Sequence, residues 1–540
     1  MTAATKLARS AHGADTSDLK RRYVRAAVYS SVLGGISQML YGVTPVVIAR
    51  SLSPADYGVY SVVMSLVGIV IGVFGLGQNS ALHKLVPQHY ASDRQLGGAI
   101  LANVLALTSA GLALFCGAFF LASHWIAAQL YRDASLSGAF RLGAPLMLVL
   151  TLFTLAASAL AGLQDFRAYN LVQVARNFAL LGFTSGGIWW AGLRGALVGQ
   201  LLASLFGLAL AGWSGLRLVR ARFPEGIRLE SSRRILRIIA AFVLPTLLMT
   251  LLNLPTYWWA GTMVARHAGF AQVGLLGVAY TLSQLTFLIP MNLYTPAMTF
   301  FSETHASSNP TAFSAMVNAN LRAMWMFSLP LALGIGLFSP LLVRTLFGNA
   351  YLAAAPLTLA MSLTALLMLL VGLLNTALVA AGRVWHNLAI TFGWTALFVI
   401  AGLVCIPRWG VAGCAALFAA TYALYLVGVC SYARLALNVR FTGIVRMALL
   451  TVIGFGLAVI FFFNFHGGTV DIASASLLVG LIVVEWIWIF DRNERDRLTG
   501  IVAGVVKRIL LKQSASKGVQ SWLHKMTFWI LFRLTGRRSC

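Results

Sequence analysis

Charge is what this chain has least of. Only 10% of its 540 residues are charged, where a soluble domain carries roughly 25%. Acids are scarcer still, 14 Asp and Glu against 40 Lys and Arg. Asp56, Asp93, Asp133, Asp165, Glu225, Glu230, Glu303 and Asp471 all fall in predicted loops or at helix ends, and Glu485 alone lies within a predicted span. Cysteine is sparse too. Cys116, Cys405, Cys414, Cys430 and Cys540 form neither a CxxC pair nor a metal-ligand spacing, which excludes thiol redox and zinc chemistry and leaves no cofactor to expect. No ten-residue segments of alternating polarity occur, so a transmembrane barrel is excluded. Residues 1–23 are polar and the first apolar run is long enough to remain in a membrane, so no cleavable leader is expected.

What is present is apolar surface, 59% hydrophobic residues. Apolar runs of about 20 residues, the length of a spanning helix, follow one another along the chain. The predicted spans are 24–49, 58–85, 97–123, 138–163, 169–190 and 195–216, then 237–264, 273–301, 314–338, 353–381, 386–406 and 411–432, and finally 444–465 and 472–490. The net charge of +26 is distributed as a membrane protein distributes it. Lys6 to Arg25, the linker from Arg217 to Arg237 and the tail from Arg492 to Arg538 hold most of the cations, whereas the alternate loops have scattered Arg50, Arg132, Arg141, Arg194, Arg266, Arg344 and Arg408. The positive-inside rule then places both termini in the cytoplasm, and nucleic acid is not the expected partner.

The chain also repeats itself. At an offset of 216 residues, Arg50 meets Arg266, Gly58 meets Gly274, His89 meets His305, and Leu130-Tyr131 meets Leu346-Phe347. Later the register drifts, pairing Ala161-Gly162 with Ala381-Gly382 and Gly195 with Gly410. Equivalent spans are six apart, an even number, so the halves share one topology as a parallel repeat with a substrate site between them. The expected architecture is an all-α polytopic membrane protein of about fourteen helices, two parallel six-helix repeats plus two extra helices. Its parts are a cytoplasmic segment 1–23, a first lobe 24–216, a basic linker 217–236, a second lobe 237–432, a helix pair 433–490 and a basic amphipathic tail 491–540. In the tail, Leu498, Ile501, Val505 and Ile509, then Trp522, Met526 and Trp529, recur at helical spacing beside cations, a pattern suited to lying on membrane lipids.

The segment Arg50-Ser-Leu-Ser-Pro-Ala-Asp-Tyr-Gly-Val-Tyr60 resembles the signature loop of Wzx-type polysaccharide flippases of the multidrug/oligosaccharidyl-lipid/polysaccharide exporter superfamily. Arg266-His-Ala-Gly-Phe-Ala-Gln-Val-Gly-Leu275, Leu346-Phe-Gly-Asn-Ala-Tyr351 and Ala380-Ala-Gly-Arg383 fit the same resemblance, which covers roughly residues 20–465. Within the loop, Pro54 and Asp56 predict a turn and a cap, and Tyr57 and Tyr60 read as interfacial anchors. The resemblance implies transport of a polyprenyl-diphosphate-linked oligosaccharide across the inner membrane, in the company of polysaccharide polymerase and assembly machinery, through a cavity lined by cations and polar groups.

Which residues here meet that description can be asked of the spans. Ser314, Asn318 and Arg322 share one face of the ninth, and Asn170, Gln173 and Asn177 one face of the fifth, with Arg176 adjoining. Both arginines suit phosphate oxygens through their planar fork, and both are near enough to a span end to snorkel instead. Gln38 and Tyr41, Gln78 and Asn79, Asn253 and Tyr257, and Gln284 and Asn292 complete the candidate set on the first, second, seventh and eighth spans. For any one of these, a hydrogen bond between helices is the competing role.

The alternatives are a lipid II-type flippase, a cation-coupled drug exporter and a membrane polymerase or ligase. A drug exporter of this superfamily uses an embedded carboxylate, which the first twelve spans lack. A polymerase or ligase calls for a long outward loop with clustered Arg, His, Asp or Glu, and the outward loops are short. No enzymatic constellation is expected.

Overall fold

The structure is a computed structural model describing residues 33–224, 233–288 and 310–464, with isolated positions between and beyond them. The predicted span 472–490 apart from Gly480, the segment 1–23 and the tail 491–540 lie outside the described residues. The chain divides into two compact units, residues 1–442 with 455–474, and residues 443–454 with 475–540. Of the second, the described residues are 443–454, which hold the first half of helix Ile444–Asn464, and Gly480.

Among its described residues the larger unit is built of helices joined by short turns. In chain order come α1 (33–51), α2 (Pro54–Ile71), α3 (Gly77–Ser92), α4 (Arg94–Trp125), α5 (Ser137–Gly162), α6 (Phe166–Arg222), α7 (Arg233–Ala268) and α8 (Phe270–Ser283). Then follow α9 (Pro310–Leu337), α10 (Ser339–Leu346), α11 (Ala355–Ala380) and α12 (Val384–Ala436). Seven helices among the described residues are long and apolar enough to cross a membrane. Two of them are too long for one passage. The 57 residues of α6 would stretch about 85 Å at about 1.5 Å per residue, against a hydrocarbon core of about 30 Å.

Each of these long helices is a hairpin. The backbone of α6 breaks at Ala191 and Gly192, and that of α12 at Gly410. Gly192 (φ 54°) and Gly410 (φ 59°) both occupy the left-handed region, where a side chain is strained and glycine is not. The arms then run back along one another. A Cβ on Gly195 would lie 1.7 Å from the Gly187 carbonyl oxygen, and one on Gly413 would lie 2.7 Å from that of Cys405. The predicted boundaries 190/195 and 406/411 mark these turns.

The repeat is legible in the backbone, with a corrected register. Arg132 (φ 57°) and Gly348 (φ 95°) keep the offset of 216, but Gln164 (φ 59°) pairs with Gly382 (φ 73°), and Gly192 pairs with Gly410, at an offset of 218. The expected pairs Gly162 with Gly382 and Gly195 with Gly410 are therefore displaced. The cause is local. A 3₁₀ turn of three residues, Ala134–Leu136, precedes α5, whereas six, Asn349–Ala354, precede α11. From there α5 and α11, then α6 and α12, begin in step at 218.

The first half meets the second where α2 crosses α8. A Cβ on Gly58 would stand 1.8 Å from the Phe270 carbonyl oxygen, and one on Gly274 would stand 2.1 Å from that of Pro54. Gly58 and Gly274, and Pro54 and Phe270, are repeat mates, so the contact is reciprocal, as a twofold-related pair requires. Ser53 caps α2 by accepting from the Asp56 amide at 3.1 Å, with Pro54 in the first turn. Tyr57 and Tyr60 differ from expectation: they are buried, not interfacial. Their face of α2 packs on the second half, where Tyr57 meets the Tyr351 ring edge-on at 5.9 Å.

Further contacts lock the same end. Tyr351 donates to the Leu52 carbonyl at 3.1 Å and Arg50 to that of Thr345 at 3.2 Å. From the first half, the Tyr131 hydroxyl meets Thr262 at 2.9 Å, receives the Trp258 indole at 3.1 Å and stacks its ring on Phe270. The signature loop is thus a clasp between halves.

Candidate functional site

Arg176 lies in the first half, on the leading arm of α6, only 4% exposed. Its Cγ fills space that Gly207 leaves open on the returning arm, where a Cβ would come within 2.7 Å. The guanidinium lies over the Phe153 ring of α5 at 5.6 Å. Nη1 donates to Asn177 Oδ1 at 3.0 Å, while Nε and Nη2 have no hydrogen-bond partner. The titratable groups near it are two phenols, Tyr41 of α1 and Tyr60 of α2, and among the described residues no carboxylate joins them. A buried cation so placed is costly unless an anion completes its surroundings.

The neighbouring polar groups hold the seat. Asn177 donates to the Ser37 carbonyl at 3.0 Å and its hydroxyl at 2.8 Å, tying α1 to α6. Asn170 turns back on its own helix, donating to the Phe166 carbonyl at 2.7 Å, and Gln173 reaches the Tyr169 hydroxyl at 3.4 Å. Gln38 is exposed on α1, as is Tyr41 at 53%. Tyr41 lies in the neighbourhood of both Arg176 and Tyr280 of α8. Gln78 and Asn79 open α3 just after a π-helical turn, Gly72–Leu76. Such turns recur at functional sites. Here Gln78 Oε1 and Asn79 Oδ1 are buried without a hydrogen-bond partner.

The second half presents rings instead of a cation. The Tyr257 hydroxyl of α7 meets that of Tyr422 at 2.6 Å and contacts the Met368 sulfur at 3.5 Å. Its ring stacks on Phe418 at 5.2 Å and leans on Tyr280 at 6.2 Å. Trp394 stacks on Tyr425 at 5.5 Å with a 17° tilt, and lies 4.8 Å from Tyr422. Gln284 donates to the Tyr280 hydroxyl at 2.8 Å. It lies in a 3₁₀ turn, Gln284–Phe287, that ends α8, where an unbroken span was expected. Asn292 and the side chain of Asn253 lie outside the described residues.

Arg322 and Asn318 bind a different segment. On α9, Ser314 Oγ accepts from the Arg440 amide at 3.0 Å, and Asn318 donates to the Arg440 carbonyl at 2.8 Å. Asn318 Oδ1 also accepts from the Thr442 amide at 2.9 Å, and Arg322 donates to the Thr442 hydroxyl at 2.5 Å. The shared face predicted for these residues is real, and it grips the connector leaving α12. Asn318→Ala should free that connector at a loss of about 1–3 kcal/mol. The expected readout is faster proteolysis or amide exchange at residues 438–442 with helix content unchanged; wild-type protection there would remove the grip.

The sequence profile of the family described as "Polysaccharide biosynthesis protein" matches residues 47–356. The chain belongs to this family. It is similar to the EPS I polysaccharide export inner membrane protein EpsE of Ralstonia nicotianae, 25% identical over 369 residues, covering 67% of this chain and 82% of the relative. The protein of the same description from Ralstonia solanacearum is 26% identical over 375 residues, with the same coverage. Among solved structures, the lipid II flippase MurJ in an inward closed conformation matches with a TM-score of 0.65 at 12% identity, over 85% of this chain and 98% of the other. An inward-facing multidrug resistance MATE family transporter of the MOP superfamily matches with a TM-score of 0.64 at 14% identity, over 76% and 98%. The fold is thus that of this superfamily, and the protein is a multi-pass membrane protein, as its inner-membrane relatives and apolar helices require.

For this member of the polysaccharide biosynthesis family, the corrected register joins the two halves of the site. At the offset of 218, Arg176 corresponds to Trp394 and Gly207 to Tyr425. One half seats an arginine on a glycine; the other stacks indole on phenol in the same place. Sequence reasoning missed Trp394, Tyr422, Tyr425 and Tyr280. The signal was the repeat itself, hidden by the longer 3₁₀ turn before α11.

Proposed function

We propose that the protein is a flippase that carries a polyprenyl-diphosphate-linked oligosaccharide across the inner membrane for surface or exopolysaccharide synthesis. The observation that carries this reading is Arg176, a buried guanidinium with two unpaired N–H edges and tyrosines for neighbours. A planar fork in a dry wall suits phosphate oxygens, which accept two parallel hydrogen bonds and bring the missing negative charge. Tyr41, Gln38, Gln78 and Asn79 from the first half, and Tyr257 and Gln284 from the second, supply polar contacts for the remainder of the headgroup. Arg322 and Asn318 then act on the path through the connector they hold.

Movement follows from the repeat. The lobes 24–216 and 237–432 rock about the Gly58–Gly274 crossing, with both termini in the cytoplasm. The clasp of Tyr131, Thr262, Tyr351 and Arg50 then closes the outward end in the present state, and its release opens the site to the outer leaflet. The polysaccharide export relatives support this direction of transport.

A drug and cation exporter is the poorer reading. Asp93, Asp133 and Asp165 are helix N-caps, accepting from the backbone amides of Gln95 at 2.9 Å, Ser135 at 3.0 Å and Ala168 at 2.9 Å. Each caps the start of a helix and so lies outside the middle of a span. The deciding experiment is deletion of the gene, followed by analysis of lipid-linked glycans on each leaflet. Accumulation on the inner leaflet with loss of surface polysaccharide is expected. Unchanged glycan with new drug sensitivity would rule the assignment out.

A further inference from the structure

The aromatic half of the site is built of rings and amides rather than a cation. Two side chains that contact Tyr425 carry a polar atom without a hydrogen-bond partner, Asn375 Oδ1 and Trp394 Nε1, and so does Asn387, one turn before Thr391, at Oδ1. They belong to one assembly. Asn375 donates its amide to the Tyr425 hydroxyl at 3.0 Å, which also meets Thr391 at 2.7 Å. Thr391 sits one turn beyond Asn387 and donates to its carbonyl at 2.8 Å, while the Trp394 ring stacks on Tyr425. Interior polar groups are ordinarily paired, so three orphans on neighbouring turns call for an explanation. Two amide oxygens and one indole N–H make a set of two acceptors and one donor beside flat rings. Sugars match that set, since their hydroxyls both donate and accept and their C–H faces pack on aromatic rings.

The position fits as well. The cluster occupies, in the second half, the place that Arg176 and Gly207 occupy in the first. From it the rings lead on through Tyr422 and Tyr257 to the partly exposed Tyr280 of α8. A ligand with an anionic group at one end and sugar at the other finds a cation seat and a ring-lined polar seat at pseudo-equivalent sites. We propose that the Trp394–Tyr425 cluster, with Asn375 and Asn387, is the sugar-recognition subsite of the transporter. This rests on the flippase reading and adds that the two halves divide the substrate between them, phosphate to the first and sugar to the second.

The test compares two lipids on the purified full-length protein in nanodiscs: undecaprenyl diphosphate, and the same lipid carrying an oligosaccharide. The variants are Trp394→Phe, which keeps a ring but removes the indole N–H, and Asn375→Leu, with thermal midpoints recorded for each. Both should weaken the sugar-bearing lipid about tenfold and leave bare undecaprenyl diphosphate unchanged. Arg176→Gln should weaken both. Equal weakening of both lipids by Trp394→Phe and Asn375→Leu, as loss of packing or of a coupled ion would cause, overturns the subsite. Unchanged binding of the sugar-bearing lipid by these variants overturns it too. If wild-type protein binds neither lipid, the flippase reading itself fails.

Discussion

Arg176→Gln should abolish export while leaving the protein inserted and more heat-resistant than wild type. The two effects have one cause. Removing a buried unpaired cation relieves its desolvation penalty, which amounts to several kcal/mol for an ion in a protein interior. The same change deletes the two N–H edges, Nε and Nη2, that the structure leaves unpaired. Hydrogen bonds to a charged group contribute about 1.5–3 kcal/mol each, so the loss of two lowers affinity for a diphosphate roughly a hundredfold or more. Arg176→Lys should rescue poorly, because an ammonium is a point charge without the planar fork. Stability against detergent and heat, measured beside export, separates this account from a structural one. A variant that exports normally, or one that loses export because it unfolds, would remove Arg176 from the site.

The second large effect concerns the crossing of the halves. Gly58→Ala and Gly274→Ala should each destabilise the protein by at least about 1–3 kcal/mol, the usual cost of overpacking. Both clashes are with main chain, at 1.8 Å and 2.1 Å, which no side-chain rotation relieves. Gly68→Ala lies on the same helix with nothing within 4 Å and serves as the control. It should be neutral or slightly stabilising, since alanine is the better helix former. Thermal midpoints in detergent read the difference. Equal midpoints for Gly58→Ala and Gly68→Ala would contradict a close crossing of α2 and α8.

Much of the fold could be read from sequence because a membrane forces long apolar helices and leaves little freedom between them. The hairpin turns of α6 and α12 were visible as gaps between apolar runs. The contact of Arg50 to Tyr60 with the other half was partly visible, since Gly58 and Gly274 stand out as repeat mates among small residues. The burial of Tyr57 and Tyr60 was not. Tyrosine near a span end reads as an interfacial anchor, and only the packing of α2 on the second half turns these rings inward.

The site was legible in a more uneven way. Arg176 announces itself by being a cation inside an apolar run. The environment that gives it meaning comes from Phe153, Tyr41 and Gly207, which are distant in sequence and unremarkable alone. Arg322 and Asn318 showed their shared helix face but not its partner, because Thr442 lies 120 residues away on a connector with no signal of its own. Trp394 and Tyr425 were concealed by a register shift in the 3₁₀ turn before α11. Rings at helical spacing within a span look like packing until the repeat sets them opposite a cation.

The central claim is that one chain, through Arg176, moves a diphosphate-linked glycan between leaflets. It is tested most directly by reconstituting wild-type and Arg176→Gln protein into sealed vesicles with a polyprenyl-diphosphate-linked oligosaccharide. A membrane-impermeant glycosidase then reports the leaflet of the sugar over time. The account predicts rapid protein-dependent movement with wild type and movement near the protein-free rate with Arg176→Gln. Equal rates for the two proteins, or no movement with wild type beyond protein-free vesicles, would contradict it.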